Sequence, residues 1–147
     1  MRSAERGIKN AVFLTAFGWA GVAATRQGIS IVILPKKDKK AVELQLEFAV
    51  LRTPNSSLQT LEVSPSVLGK AVKSLKKYFS GERVLFDLPL DLRYSTRFQR
   101  AVWKAATEIP FGETRSYAWI AKRIRNPRAS RAVGQAVGAN PVPIIIP

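Results

Sequence analysis

Between Phe111 and Pro147 the chain carries six cations, Arg115, Lys122, Arg123, Arg125, Arg128 and Arg131, against one acid, Glu113. Guanidinium and ammonium groups at this density pair with phosphate, arginine bidentately. A short helix, a tight turn and a second helix studded with arginine is the pattern that helix-turn-helix proteins lay on DNA. The pair alone is a weak signal, because many helical domains contain one. The whole chain strengthens it: Lys plus Arg number 24 against 10 acids, a net charge of +14 and a pI near 10.8. Such a field attracts polyanions, nucleic acid ahead of an anionic membrane. A basic surface kept only for solubility is the bland alternative, and the magnitude disfavours it.

Other chemistries are excluded from these 147 residues. There is no cysteine and no histidine, hence no disulfide, no thiolate nucleophile, no Cys/His zinc site and no histidine-based triad. The carboxylates show no clustered ligand pattern, so neither a metal nor a cofactor is expected. No apolar run approaches the roughly 20 residues that span a bilayer, and no membrane partner is expected. "AVFLTAFGWAGVAA" is broken by Gly18, Trp19 and Gly21 and closed by "TRQG", which reads as a hairpin and not as a secretory signal.

A length of 147 residues with 46% apolar content suffices for one compact domain or two small ones with a genuine core. "AVFLTAF" and "ISIVILP" read as strands, with Gly28 where a turn needs positive φ. "KKDKK", Lys36 to Lys40, reads as a charged hairpin loop. "AVELQLEFAVL" fits strand or helix, and "RTPNSSLQT" is a loop. A helix follows, with Ser64 as cap, Pro65 at its first position, Val67, Leu68, Ala71, Val72, Leu75, Tyr78 and Phe79 at helical spacing, and Gly81 as its end. "LFDLPLDLR" reads as an extended connector, with a domain boundary near Leu92: an N-terminal α/β domain over 1–92 and a mainly helical domain over 93–147.

In the second domain, Thr96 with Gln99 three residues on forms a capping-box pattern before a helix with Phe98, Ala101, Val102, Ala105, Ala106 and Ile109 on its apolar face. Ser116 caps "YAWIAKRI". Pro127 in "RNP" marks the start of the next helix, "RASRAVGQAVGA", which stops at Asn140-Pro141. Trp103 and Trp119 read as core aromatics. The last residues, "NPVPIIIP", are of a kind that wants burial, unlike an ordinary frayed end.

The stretch "FQRAVWKAATEIPFGETRSYAWIAKRIRNPRASRAVGQAVGANPVPIIIP" resembles the C-terminal domain of O6-alkylguanine-DNA alkyltransferases, the methylated-DNA–protein-cysteine methyltransferases. "RAVG…NPVPIIIP" is highly specific to that family. "LKKYFSGERVLFDLPLDLR" matches its lead-in, and "GWAGVAATRQGISIVIL" resembles its N-terminal strands more weakly. The resemblance implies a ribonuclease H-like first domain of antiparallel strands with a packed helix, and a helix-turn-helix second domain that is incomplete here. It also implies that "NPVPIIIP" is a buried extended segment followed directly after Pro147 by Cys-His-Arg, whose cysteine is the nucleophile.

The implied activity is DNA repair. The cysteine takes the alkyl group from O6-alkylguanine, and from O4-alkylthymine, in a single turnover, with the damaged base flipped out of the duplex. By the same resemblance Arg131 fills the space of the flipped nucleotide and Tyr117 lies beside the target's 3′ phosphate. Asn140 links the recognition helix to the active-site segment, and Ala132 and Gly134 sit where that helix approaches the minor groove. Arg125 and Arg128 are candidate phosphate contacts, together with Lys122 and Arg123. The implied partner is double-stranded DNA carrying alkylated guanine. The implied state is a monomer in the cytoplasm, associated with the nucleoid, or nuclear if the source is eukaryotic. The alternative is a non-catalytic alkyltransferase-like or helix-turn-helix DNA-binding protein. Because these 147 residues contain no thiol, they are expected to accept no labelled methyl from alkylated DNA, and measurable transfer to this polypeptide would show that the nucleophile lies elsewhere.

Overall fold

A computed structural model describes residues 9–52 and 65–147. The proposed cap Ser64 lies outside the described residues. The chain forms two compact units that divide between Asp91 and Leu92.

The first unit holds an antiparallel sheet of β1 (Lys9–Thr15), β2 (Gly18–Thr25) and β3 (Gly28–Lys36), in the order β1-β2-β3. Two hairpins of one design build it, Thr15-Ala16-Phe17-Gly18 and Thr25-Arg26-Gln27-Gly28. In each, the threonine Oγ1 accepts the backbone N–H two residues on, at 3.1 Å, a local bond that substitutes for ladder pairing through the turn. "GWAGVAAT", which only the resemblance places among the strands, is the middle strand. Its small residues hid it, since Gly and Ala are poor strand formers in isolation. Their smallness has a packing cause: a Cβ at Gly21 would stand 3.0 Å from Val42 Cγ1 and 3.4 Å from Leu46 Cδ2.

Those two side chains belong to α1 (Lys39–Leu51). Asp38 caps it, accepting from Lys40 N at 3.0 Å. "KKDKK" is thus a helix start and not a hairpin loop; the aspartate among the lysines is the capping residue that the charge pattern obscured. "AVELQLEFAVL" resolves as helix, with Val42, Leu46 and Val50 buried against Ala23 and Ile33 of the sheet. Ala20 and Val22, alternate residues on β2 and fully buried, point to the other face.

α2 (Pro65–Phe79) also packs on the sheet, burying Ala71 and Leu75. It ends as expected at Gly81, at φ +95°. Glu82 N donates to Lys77 O and Gly81 N to Tyr78 O, both at 3.1 Å, the pair of bonds that closes a helix on a left-handed glycine. The segment after it does more than connect. Ile29 N donates to Pro89 O and Asp91 N to Ile29 O, each at 2.8 Å, so Leu90 bridges Ile29 in parallel. The Thr25 hydroxyl donates to the buried Asp91 carboxylate, which satisfies a carboxylate that burial would otherwise penalise.

This docking leaves no room at Gly28, which has φ +144°; a Cβ there would meet Pro89 O at 2.3 Å. Gly69, on α2, has nothing within 4 Å of the same position. Gly28→Ala is expected to destabilise the fold by at least about 2 kcal/mol through backbone strain and collision. Gly69→Ala should stabilise it by about 0.5–1 kcal/mol through helix propensity. Urea unfolding of the two variants checks both signs.

Candidate nucleic-acid interface

The second unit is helical: α3 (Arg97–Thr107), α4 (Tyr117–Arg123) and α5 (Ser130–Gly138). The capping box at α3 is formed in both directions: Thr96 Oγ1 accepts from Gln99 N at 3.0 Å and Gln99 Oε1 accepts from Thr96 N at 2.9 Å. α3 buries Val102, Trp103, Ala105 and Ala106. Trp103 is core, as its spacing implies, and it also carries a polar tie. Its indole N–H donates to Ala136 O at 2.8 Å, a carbonyl in the last turn of α5, where intrahelical partners run out. That bond fixes α5 against α3.

Ser116 caps α4, accepting from Trp119 N at 3.1 Å. α4 buries Ile120 and Ala121 and packs on α5. The turn between them includes Arg125 at φ +63°. α5 begins at Ser130, three residues after Pro127, and Ala129 provides no side-chain cap. The sequence reading started this helix at the proline; the turn closed by Ala129 N on Asn126 O, 3.0 Å, uses Pro127 instead. The shift matters, because it leaves Arg125 and Arg128 on the turn and only Arg131 on the helix.

α5 buries Val133 and Ala136 and exposes Arg131 and Ala132, with Gly134 half-buried. Tyr117, at the first position of α4, is 51% exposed. Its ring covers Gly134, where a Cβ would lie 3.0 Å from Tyr117 Cε2 and 3.2 Å from Cδ2. Nothing in the sequence paired residues 117 and 134; the only trace was a glycine in a helix interior, which costs about 1 kcal/mol unless something needs the space.

The electrostatics single out some cations. The unit from Leu92 onward contains two acids, Glu108 and Glu113. Glu108 Oε2 accepts from Arg123 Nε at 2.6 Å, and Glu113 Oε1 lies 3.3 Å from Arg115 Nη2. Arg115 also stacks over Trp119, 5.5 Å from the ring centroid. Arg123 and Arg115 are therefore engaged within the protein. Arg125, Arg128 and Arg131 are all exposed, and the unit has no further acid to neutralise them.

Past α5 the chain differs from the extended segment that the resemblance implied. Residues 140–147 fold into a compact turn, with Ile146 N donating to Val142 O at 3.0 Å. Ile144 adopts φ +76°, rare for a β-branched residue. Val142, Ile145 and Ile146 are buried, so the apolar residues are covered, by turning and not by running straight. Asn140 organises the turn. Its Oδ1 accepts from Val142 N at 2.9 Å and its Nδ2 donates to Ile146 O at 2.7 Å. The structure thus places Asn140 between α5 and the terminal turn, and brings Tyr117 and Gly134 together. Among the described residues no group of three or more His, Cys, Asp or Glu could hold a metal, and no helix is long and apolar enough to cross a membrane.

Asn140→Ala removes both bonds and leaves a half-buried amide and carbonyl without those partners, so it is expected to cost about 2 kcal/mol. The check is amide hydrogen exchange: protection at Val142 and Ile146 should fall selectively, with the α3 amides unaffected beyond the global change.

Comparison with known proteins gives the context of this geometry. Residues 97–147 match the family model for the 6-O-methylguanine DNA methyltransferase DNA binding domain, and residues 20–92 match that for its ribonuclease-like domain. A methylated-DNA–protein-cysteine methyltransferase of Methanosarcina acetivorans is 39% identical over 137 residues, 93% of this chain and 78% of the relative. That of Mycobacterium tuberculosis H37Rv is 54% identical over 83 residues, 56% of this chain. The aligned part spans about half the length of this and the other mycobacterial relatives. Among solved structures, M. tuberculosis O6-methylguanine methyltransferase superposes with a TM-score of 0.68 at 35% identity, over 95% of this chain and 75% of that one. M. tuberculosis OGT in complex with DNA gives the same score at 36% identity, over 94% and 74%. With two adjoining domain models matched in order and a relative aligned along 93% of this chain, this chain belongs to the 6-O-methylguanine DNA methyltransferase family.

Proposed function

We propose that the protein of which these residues form part repairs O6-alkylguanine, and O4-alkylthymine, in duplex DNA, by moving the alkyl group to its own cysteine in one turnover. The observation that carries the DNA half of this reading is the surface around α5. Arg131 stands exposed on the second helix of a helix-turn-helix, flanked by Arg125 and Arg128, in a unit whose two acids are already engaged. The relative solved in complex with DNA supports the same partner. In this reading α5 enters the minor groove, Ala132 keeps the approach close, Arg131 occupies the stack vacated by the flipped base, and Tyr117 lies at the phosphate beside it. Arg125 and Arg128 contact phosphates and fix register without reading sequence.

The transfer half rests on family membership and on the terminal turn. Asn140 ties the end of α5 to Ile146, so whatever follows Pro147 is held relative to the reading helix. A cysteine there attacks the alkyl carbon as thiolate: a sulfur–carbon bond forms, the carbon–oxygen bond breaks, and guanine leaves with its oxygen-6 electron pair. No cofactor enters that step. We infer a monomer located with the DNA it repairs, in the cytoplasm or nucleoid of a prokaryote or the nucleus of a eukaryote.

Intact mass of the complete protein, before and after incubation with an O6-methylguanine oligonucleotide, tests transfer. A gain of one methyl is expected; stable DNA binding without a mass change would favour a binding-only member of the family. Arg131→Ala should slow transfer from duplex far more than from the free alkylated base, because the unstacking it compensates, a few kcal/mol, arises only in the duplex. Arg128→Ala should instead weaken all DNA binding about uniformly and lower the salt slope by about one. Identical behaviour of the two variants in both assays would remove the finger role from Arg131.

A further inference from the structure

A glycine inside a DNA-facing helix invites the explanation that it lets the helix backbone press into the groove. At Gly134 the space is taken from within the protein. The direction in which a side chain would grow leads to the Tyr117 ring, with Cε2 at 3.0 Å, Cδ2 at 3.2 Å and Cζ at 3.7 Å from the Cβ position. Gly138, one turn further along α5, has nothing within 4 Å of its Cβ position. The two glycines therefore do different things, and only Gly138 fits the open-surface account. Gly134 also follows Arg131 by three residues, which places both on one stretch of the helix surface.

We propose that Gly134 is a positioning residue for Tyr117: its missing side chain is the seat in which the ring lies flat on α5, one turn from Arg131. Ser116 fixes the start of α4 through its bond to Trp119 N, so the backbone that carries Tyr117 is anchored, and the adjustable part is the ring. Adding a methyl at 134 pushes the ring outward by a few tenths of an ångström or forces another rotamer. The phenol then leaves the place it holds over Gly134. This inference rests on the DNA-binding reading for its consequence and on the structure alone for the contact.

The sign of the stability effect separates the seat from a generic helix defect. Gly→Ala at an unobstructed interior helix position raises helix propensity, so a loss on Gly134→Ala points to the ring. The test is a double-mutant cycle on this chain with Gly134→Ala, Tyr117→Ala and the pair, plus Gly134→Ala in a Tyr117→Phe background. Two readouts are taken: thermal midpoint without DNA, and affinity for a short duplex containing O6-methylguanine.

Gly134→Ala should weaken duplex binding by about five- to tenfold, within the range found for coupled residues in contact, and by less than about twofold once Tyr117 is alanine. In the Tyr117→Phe background the full loss should return, because the seat takes the ring and not the hydroxyl. The thermal midpoint should show the same pattern: Gly134→Ala lowers it when the tyrosine is present and raises it when Tyr117 is alanine. An equal loss of affinity with and without the tyrosine would place Gly134 against DNA and overturn the proposal, as would a variant with no loss at all. If the unsubstituted chain bound no duplex, the DNA-binding reading would fall, and the thermal cycle would still decide whether the seat exists.

Discussion

The carboxamide of Asn140 is the constraint on which the second unit depends. It accepts from Val142 N and donates to Ile146 O, and with the backbone bond from Ile146 N to Val142 O it closes the terminal turn. Ile144 stands in the left-handed region, a conformation costing of order 1–3 kcal/mol for such a residue. The two bonds from Asn140 and the burial of Val142, Ile145 and Ile146 offset it. From Asn140 the connection runs back into α5, whose last turn is held by the Trp103 indole on Ala136 O. α3, α5 and the terminal turn are thus one hydrogen-bonded framework. The proposed function needs that kind of rigid link between helix and terminal turn, because small displacements at a reacting centre carry large losses of rate.

The charge is distributed to match. From Leu92 onward the chain has eight arginines and two lysines, whereas the first 91 residues have nine lysines and five arginines. Arginine offers a planar fork for phosphate and stacks on flat rings, while lysine is a strongly hydrated point charge. In the proposed function the first unit therefore adds to the long-range field that draws DNA in, and close recognition falls to the second. The lysines of α2 and of the β3–α1 junction belong to this background.

What was legible in the sequence follows from how local the signals are. The capping box at Thr96, the Ser116 cap and the Gly81 stop are decided within four or five residues, and they stand where the pattern put them. β2 carries little local strand signal and shows in the sequence only through the resemblance, because its residues are chosen for what crosses over them: Gly21 is small for the sake of Val42 and Leu46. The aspartate of "KKDKK" was outvoted by four lysines, although capping depends on one side chain and not on net charge. The extended form of the terminal segment is what the resemblance implies; the Asn140 carboxamide, bonded two and six residues on, turns it instead. Of the site, the arginines and Asn140 were visible as types in a motif, whereas the Tyr117–Gly134 contact joins residues on separate helices and has no local signature.

In the proposed function this chain meets DNA through α5 and the start of α4. Backbone amide shift mapping on a short O6-methylguanine duplex tests it most directly. The largest perturbations should fall on Tyr117 to Trp119 and on Ser130 to Gly138, extending to Arg125 and Arg128, with only weak, salt-sensitive changes on Lys36 to Lys40 and the α2 lysines. Strongest perturbation on those lysines, with α5 unmoved, would contradict it.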